Sequence, residues 1–365
     1  MRAPRPAASA PAPAPAPARA LSRRGVLTAV GALGLGGLLT ACGSDGDSAS
    51  DGGGATNSPT GGGTWRFKDD RGTTAEADRT PKRLVAFVGA AAALHDLGIE
   101  CAGVFGPTKL KNGKPDPRAG GIDVDKVTIL GNTYPQFDVE RYAGLRPDLL
   151  IAQMTDPPAL WYVPEESAEK VESLAPSVGI LTTKSSLTHV IGRFADLAKS
   201  LGADLTADPV TSAEERFKSA SVTLRRAAGA AGAKGRGGLK VMVVSASADI
   251  LYVAAPDAFT DLRYYESLGV EFVTPSKTGA GGFWHELSWE NADMYEADLI
   301  LVDNREGNLQ PADLKKTKPT WARLPAVRAD RTFPWAVEER YSHAGYAPRI
   351  EQLAAALGQS APVSS

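Results

Sequence analysis

Four histidines, two cysteines and one glycine-rich run are the first places to look for chemistry in this sequence, and each falls short of a catalytic or metal-binding pattern. His95, His189, His285 and His343 include no pair at the spacing that lets two imidazoles share one metal ion. His285-Glu286 opens like a zinc-protease helix, but Trp289 stands where the second histidine belongs. Gly279-Ala280-Gly281-Gly282-Phe283-Trp284 begins like a dinucleotide loop, yet Trp284 takes the place of the third glycine and no helix pattern follows. No Gly-x-Ser-x-Gly elbow, phosphate loop or cysteine-histidine arrangement with the right context occurs. These absences favour a binding protein over an enzyme, with no cofactor of its own.

Cys42 is the exception, because its neighbours explain it. Leu39-Thr40-Ala41-Cys42 closes a short apolar stretch, Gly25 to Ala41, whose five glycines make it a poor membrane span and a plausible export segment. Small residues ahead of a cysteine in that position match a lipobox, where a signal peptidase cuts and the cysteine carries lipid. Arg23-Arg24 just before the apolar stretch matches a twin-arginine export signal. Residues 1–41 are therefore predicted to be an address. Residues 42–64, mostly Gly, Ser, Asp, Thr and Ala, are predicted to be a flexible tether, since they cannot bury enough apolar area to offset chain entropy. With Cys42 lipidated, Cys101 has no disulfide partner. The first 41 residues hold five arginines and no acid, so the remainder has 35 bases against 42 acids; a chain of net charge −7 without a basic stripe is a poor nucleic-acid binder.

The remainder is long enough for about two domains. Apolar runs at Leu84 to Val88, Cys101 to Val104, Thr128 to Leu130, Leu149 to Ala152 and Val178 to Leu181 alternate with helix-like segments, the pattern of buried parallel strands in an α/β unit. Thr188 to Ala228 reads as helical, with a break near Ala207-Asp208-Pro209 where Asp208 stops one helix. A second unit follows: strands at Leu239 to Ser245, Val270 to Val273 and Leu299 to Val302, and helices at Phe259 to Leu268, Trp289 to Tyr295 and Ile350 to Leu357. The expected organisation is a first lobe over 65–183, a helical connector over 184–238 and a second lobe over 239–365. Two such lobes offer a cleft at the carboxyl ends of their strands.

Several segments also carry a family resemblance. Pro81 to Ala86 with Leu94 to Val104, then Asp138 to Ala152, then Leu287 to Glu290 with Ala297 to Val302, and Trp321 to Phe333 with its Leu324-Pro325-Ala326-Val327 turn, together resemble the iron-siderophore and vitamin B12 class of ABC-transporter substrate-binding proteins. The resemblance runs in order over about residues 80 to 357. It implies two Rossmann-like lobes joined by a long rigid helix, a ligand cleft between them, and delivery of ligand to an ABC permease and its ATPase. It also implies docking through one exposed glutamate per lobe, here Glu140 and Glu290. The implied receptor is a monomer, lipid-anchored through Cys42 at the outer face of the cytoplasmic membrane, and iron enters it only inside the bound complex.

A ferric siderophore is a polar chelate with a greasy periphery, so its cleft wants aromatic walls and a few donors to metal-bound oxygens. The candidates at strand ends are Phe87 with Val88, Gln153 with Met154, and Trp161-Tyr162 in the first lobe. In the second they are Tyr252, Lys277, Trp284, Asn304, Arg305, Tyr341 and His343. Arg305 is the best anion anchor, because a guanidinium forks onto chelate oxygens. A basic insertion, Gly106 to Lys126, would favour anionic chelates if it overhung the cleft, but the sequence does not locate it. One arginine among aromatics favours a hydroxamate over a triply negative catecholate. Cobalamin or haem are alternatives on the same fold, and a zinc- or manganese-binding lipoprotein is the other.

Overall fold

The computed structural model describes residues 63–232 and 238–360; the export signal, Cys42 and most of the tether lie outside the described residues. The described chain opens with an antiparallel hairpin, β1 (Trp65–Lys68) and β2 (Thr74–Ala77). Its alternating burial turns Trp65 and Phe67 inward, and the Trp65 indole donates to the Ser200 carbonyl at 3.1 Å.

The first lobe is a five-stranded parallel sheet of β3 (Leu84–Phe87), β4 (Gly103–Phe105), β5 (Thr128–Ile129), β6 (Leu149–Met154) and β7 (Ser177–Leu181). The spatial order is β5-β4-β3-β6-β7, so the winding reverses between β3 and β6. Helices α1 (Val88–Asp96), α2 (Val139–Leu145) and α3 (Glu165–Leu174) connect these strands. α1 follows β3 with no intervening loop, and its run of small residues from Gly89 to Ala93 lets Val88 to Leu94 lie buried against the sheet.

The connecting helices are α4 (Leu187–Ser200) and α5 (Asp208–Gly232). The break between them falls earlier than the sequence reading placed it. α4 ends at Ser200, where Gly202 takes the left-handed conformation (φ +99°). Asp208-Pro209 starts α5 instead of stopping α4, since proline is tolerated in a first helical turn, whose N–H groups lack partners anyway. α5 has 25 residues, about 37 Å at 1.5 Å per residue.

The second lobe contains β8 (Lys240–Ala246), β9 (Ile250–Ala254), β10 (Glu271–Phe272), β11 (Trp284–Ser288), β12 (Leu299–Asp303) and β13 (Thr332–Trp335). Its helices are α6 (Thr260–Ser267), α7 (Pro311–Thr317), α8 (Pro319–Arg323), α9 (Pro325–Arg328) and α10 (His343–Gln359). The sheet is mixed. β10, β12 and β13 continue the parallel pattern set by β8, whereas β9 runs against it and so pairs antiparallel with both β8 and β11. The cause is a tight reversal after β8, in which the Ser247 N–H donates to the Ile250 carbonyl at 2.9 Å and the Ile250 N–H to the Ser247 hydroxyl at 3.0 Å. The helix expected over Trp289 to Tyr295 is a single 3-10 turn, Trp289–Asn291; Trp289 and Ala292, three apart, supply its buried side.

The lobes meet along two helices, because α10 packs along α5. At the start of α10, Arg340 Nε and the Ser342 hydroxyl both donate to Asp96 of the first lobe at 2.5 Å. The Thr182 carbonyl after β7 accepts from the Thr260 hydroxyl at 2.6 Å and the Tyr341 hydroxyl at 3.2 Å. Next to Thr260, the buried Asp261 accepts the Trp335 indole N–H at 2.7 Å, and burial pushes its carboxyl up to about 6 from 3.8. The folded state therefore prefers the protonated acid. Its stabilising contribution is complete below about pH 4 and is lost as pH rises through about 6. Urea melts of wild type and Asp261→Asn across pH 4 to 7 should show their stability difference drifting by about 3 kcal/mol in favour of the variant at high pH; a difference constant with pH would mean that Asp261 titrates as an ordinary carboxyl.

Candidate functional site

Segments that follow the carboxyl ends of β4 in the first lobe and of β12 and β13 in the second line one shared cavity. In the first lobe Phe87 ends β3 and Gln153 lies in the neighbouring β6, at the point where the winding reverses. Both are buried, Phe87 at 1% and Gln153 at 5% exposure, so neither presents the open contact surface that the sequence reading gave it. Gly106 makes room for Phe87: with φ +92°, a Cβ there would sit 2.5 Å from the Phe87 ring. Trp161 and Tyr162 follow β6, and Trp161 is anchored by its N–H to the Gln153 carbonyl at 2.8 Å. Tyr162 adopts φ +66°, a conformation that costs a non-glycine residue about 1 kcal/mol or more and persists only where its surroundings impose it. Its ring packs on Phe87, Trp161 and Tyr134 at centroid distances of 5.4, 5.6 and 5.9 Å. Burial pushes its hydroxyl up to about 12, with Glu338 adding to the rise and Arg118 and Arg305 opposing it.

The basic insertion, which the sequence could not place, crosses to the second lobe. The Lys111 N–H donates to Glu306 at 3.1 Å, and Arg118 Nη1 donates to one oxygen of Glu338 at 2.7 Å. The other oxygen of Glu338 accepts from Arg305 Nη1 at 2.8 Å. One carboxylate thus joins a guanidinium from each lobe. Each arginine also turns back on an aspartate two residues before it. Arg118 Nε and Nη2 each donate to Asp116 at 2.9 Å, and Arg305 Nη2 donates to Asp303 at 2.7 Å with its Nε at 3.1 Å. Burial alone would raise the Glu338 carboxyl, but Arg305 and Arg118 outweigh it and hold the group below its ordinary value. Both guanidiniums are held charged by these carboxylates against the opposing effect of burial.

A cavity of about 260 Å³ opens at this junction, lined by Leu110, Asp116 and Arg118 of the first lobe and Arg305, Glu306 and Glu338 of the second, among others. A second cavity, about 350 Å³, lies between β13, α6 and α10 and draws no wall from the first lobe. Only the former can sense both lobes at once.

The remaining candidates are placed as follows. Trp284 is the first residue of β11, not a loop residue, and Tyr252 lies on β9 beside it at 6.2 Å. With Phe259 and the buried Trp335 they form an aromatic group whose neighbouring centroids lie 5.0 to 6.2 Å apart. Tyr341 is buried and stacks on Phe194 at 6.2 Å, so it ties the lobes together and does not open onto the cleft surface. His343 packs on Phe217 of α5 at 5.0 Å. His95 pairs with Glu100 at 2.8 Å and His285 with the Tyr295 hydroxyl at 2.7 Å. Among the described residues no three His, Cys, Asp or Glu side chains come together as a metal site. Glu140, in the first turn of α2, and Glu290, in the 3-10 turn after β11, are both exposed. Sequence reasoning missed Glu338, Asp303, Trp335 and Tyr134. A readable signal for the ion chain was the repeated Asp-x-Arg spacing of Asp116-Pro117-Arg118 and Asp303-Asn304-Arg305.

Comparison with known proteins agrees with this architecture. A family model described as periplasmic binding protein matches residues 91–336. Among solved structures, DesE, a ferric-siderophore receptor protein from Streptomyces coelicolor, is 46% identical, with 82% of this chain and 100% of that chain covered and a TM-score of 0.78. SirA from Staphylococcus aureus, solved with staphyloferrin B, is 20% identical over 80% of this chain and 98% of its own, with a TM-score of 0.58. FeuA from Bacillus subtilis, a triscatecholate siderophore binding protein, is 16% identical over 80% and 98%, with a TM-score of 0.60. The last two likenesses establish the fold alone. No curated protein sequence matches the chain. Two α/β lobes on a helical backbone, the family match and the 46% identity converge: the chain is a binding protein and not an enzyme, and it belongs to the periplasmic binding protein family, in the iron-siderophore and vitamin B12 class.

Proposed function

We propose that this protein is an extracytoplasmic receptor that captures a ferric siderophore of the hydroxamate type and delivers it to an ABC permease for iron uptake. The observation that carries the reading is the pair Arg118 and Arg305, one from each lobe, aimed at one cavity beside Tyr162 and already neutralised by carboxylates. Each guanidinium spends three of its five N–H groups on those carboxylates. The pair therefore offers hydrogen bonds without excess positive charge. A ferric trihydroxamate core is neutral and presents oxygens that accept such bonds, whereas a ferric triscatecholate is triply negative and would need unpaired cations. The identity shared with DesE, itself a ferric-siderophore receptor, supports the same ligand class.

Iron arrives inside the ligand, so no resident metal or cofactor is invoked. Lipidation of Cys42 would hold the receptor at the outer face of the cytoplasmic membrane. Glu140 and Glu290 are proposed to dock the permease. Their exposure on separate lobes suits orientation of a transient complex, and the Glu290 carboxyl is held below its usual range by its own backbone N–H and the Ser288 hydroxyl.

Titration of intrinsic tryptophan fluorescence in the mature domain should show saturable quenching by a ferric hydroxamate at micromolar concentration or below, with the iron-free chelator inert. A response to cobalamin, haem or zinc alone would replace the ligand class. Arg305→Gln should weaken ferric hydroxamate binding about tenfold to a hundredfold, in line with about 1.5–3 kcal/mol for a charge-assisted hydrogen bond. The double change Glu140→Ala with Glu290→Ala should abolish iron uptake in cells while leaving affinity in solution within about twofold; a loss of affinity would put these residues in the site instead of at the docking face.

A further inference from the structure

We propose that Glu338 is a charge filter: standing between one arginine of each lobe, it keeps the interlobe cavity negative, so that neutral and cationic ferric complexes are admitted and polyanionic ones are turned away. This rests on the receptor reading above and adds to it the residue that sets ligand charge.

Asp116 and Asp303 already neutralise Arg118 and Arg305, each through two nitrogens of the guanidinium. A site evolved only to hold these arginines in place has its counter-charges in those two aspartates. Glu338 brings a third carboxylate to two guanidiniums, and the five-membered ion chain carries a net charge of −1. The rest of the cavity does not compensate. Its walls present Asp116, Glu306, Glu338 and Glu339 against Arg118, Arg305 and Arg349; Glu339 is shared by Arg349 at 2.6 Å and Arg340 at 3.0 Å, and Arg340 is balanced in turn by Asp96. In the insertion that reaches over the cleft, Lys109 is turned to Asp125 at 2.7 Å, and Lys111 and Lys114 are exposed, where solvent and salt screen their charge. Glu338 is also the group best placed to act on a ligand. It lies at the junction of the lobes, its side chain is only 15% exposed, and the reduced solvent around it leaves its charge poorly screened. The two arginines favour its ionised form, so the charge persists at neutral pH.

The test compares three iron complexes that differ in charge: a ferric trihydroxamate bearing a free amine, the same molecule with that amine acetylated, and a ferric tricatecholate. Affinities are read by tryptophan quenching for wild type, Glu338→Gln and Glu338→Asp. Wild type should bind both hydroxamates well and the tricatecholate weakly. Glu338→Gln, which keeps the shape and removes the charge, should strengthen tricatecholate binding about tenfold, equivalent to about 1.4 kcal/mol, and reduce the preference for amine over acetylated ligand at least threefold. Glu338→Asp should keep the wild-type ranking. Equal weakening of all three ligands by Glu338→Gln would mean that Glu338 merely positions the arginines, and would overturn the filter. A shift in ranking by Glu338→Asp as large as that by Glu338→Gln would overturn it too. Failure of wild type to bind any of the three would instead remove the siderophore reading itself.

Discussion

The packing of α10 along α5 is the constraint from which the rest of the architecture follows. A single 25-residue rod would leave each lobe free to swing about its ends; a second helix laid against it fixes their relation. The bonds at the start of α10 reinforce this, because Asp96 holds both Arg340 and Ser342 while the Thr182 carbonyl holds both Thr260 and Tyr341. These groups are mostly buried or half-buried, so breaking them by large lobe motion would leave polar atoms without partners. The fold therefore favours small adjustments at the cleft over wide opening. A receptor built this way recognises its ligand by a nearly preformed surface.

That surface is governed by electrostatics under partial burial. Bringing a guanidinium from each lobe to one cavity is costly in desolvation unless each charge is met, and here every one is met by a nearby carboxylate. The local device is the same on both sides. In Asp116-Pro117-Arg118 and in Asp303-Asn304-Arg305 the arginine N–H donates to the aspartate carboxyl at 2.9 and 3.0 Å, and the guanidinium then folds back on the same carboxyl. Asp69-Asp70-Arg71 beside the first hairpin repeats it, with Arg71 Nε at 2.6 Å from Asp69. This turn locks a long flexible side chain at little entropic cost beyond that of the turn itself. In the cleft it holds both guanidiniums in the wall of the interlobe cavity.

Much of the frame could be read in advance because it depends on local pattern. The run Leu84-Val85-Ala86-Phe87 is a buried parallel strand, and Leu149 to Met154 is its partner, since only a strand covered on both faces is so continuously apolar. Glu140 and Glu290, which the family resemblance singled out on short helices, lie exposed in the first turn of α2 and in the 3-10 turn after β11. The antiparallel strands carrying Tyr252 and Trp284 could not be read in advance. Their identity depends on a two-residue reversal after Ser247, and Gly279 to Phe283 reads locally as a loop. Tyr341 was legible as an aromatic beside the cleft but not as a buried brace, because its partner Phe194 lies 147 positions earlier in the chain.

The sequence by itself determined the two α/β units, the helical connector and the chemistry available to the cleft, all properties carried by contiguous residues or short spacings. Only the tertiary structure decided what the cleft does with that chemistry. Arg305 is a good anion anchor when judged from its neighbours in sequence, yet its fork faces Asp303, and Glu338, 33 positions away, shares its remaining charge with Arg118 of the other lobe. Charge balance is a sum over groups brought together by the fold, and the sign of that sum is not a property of any one segment.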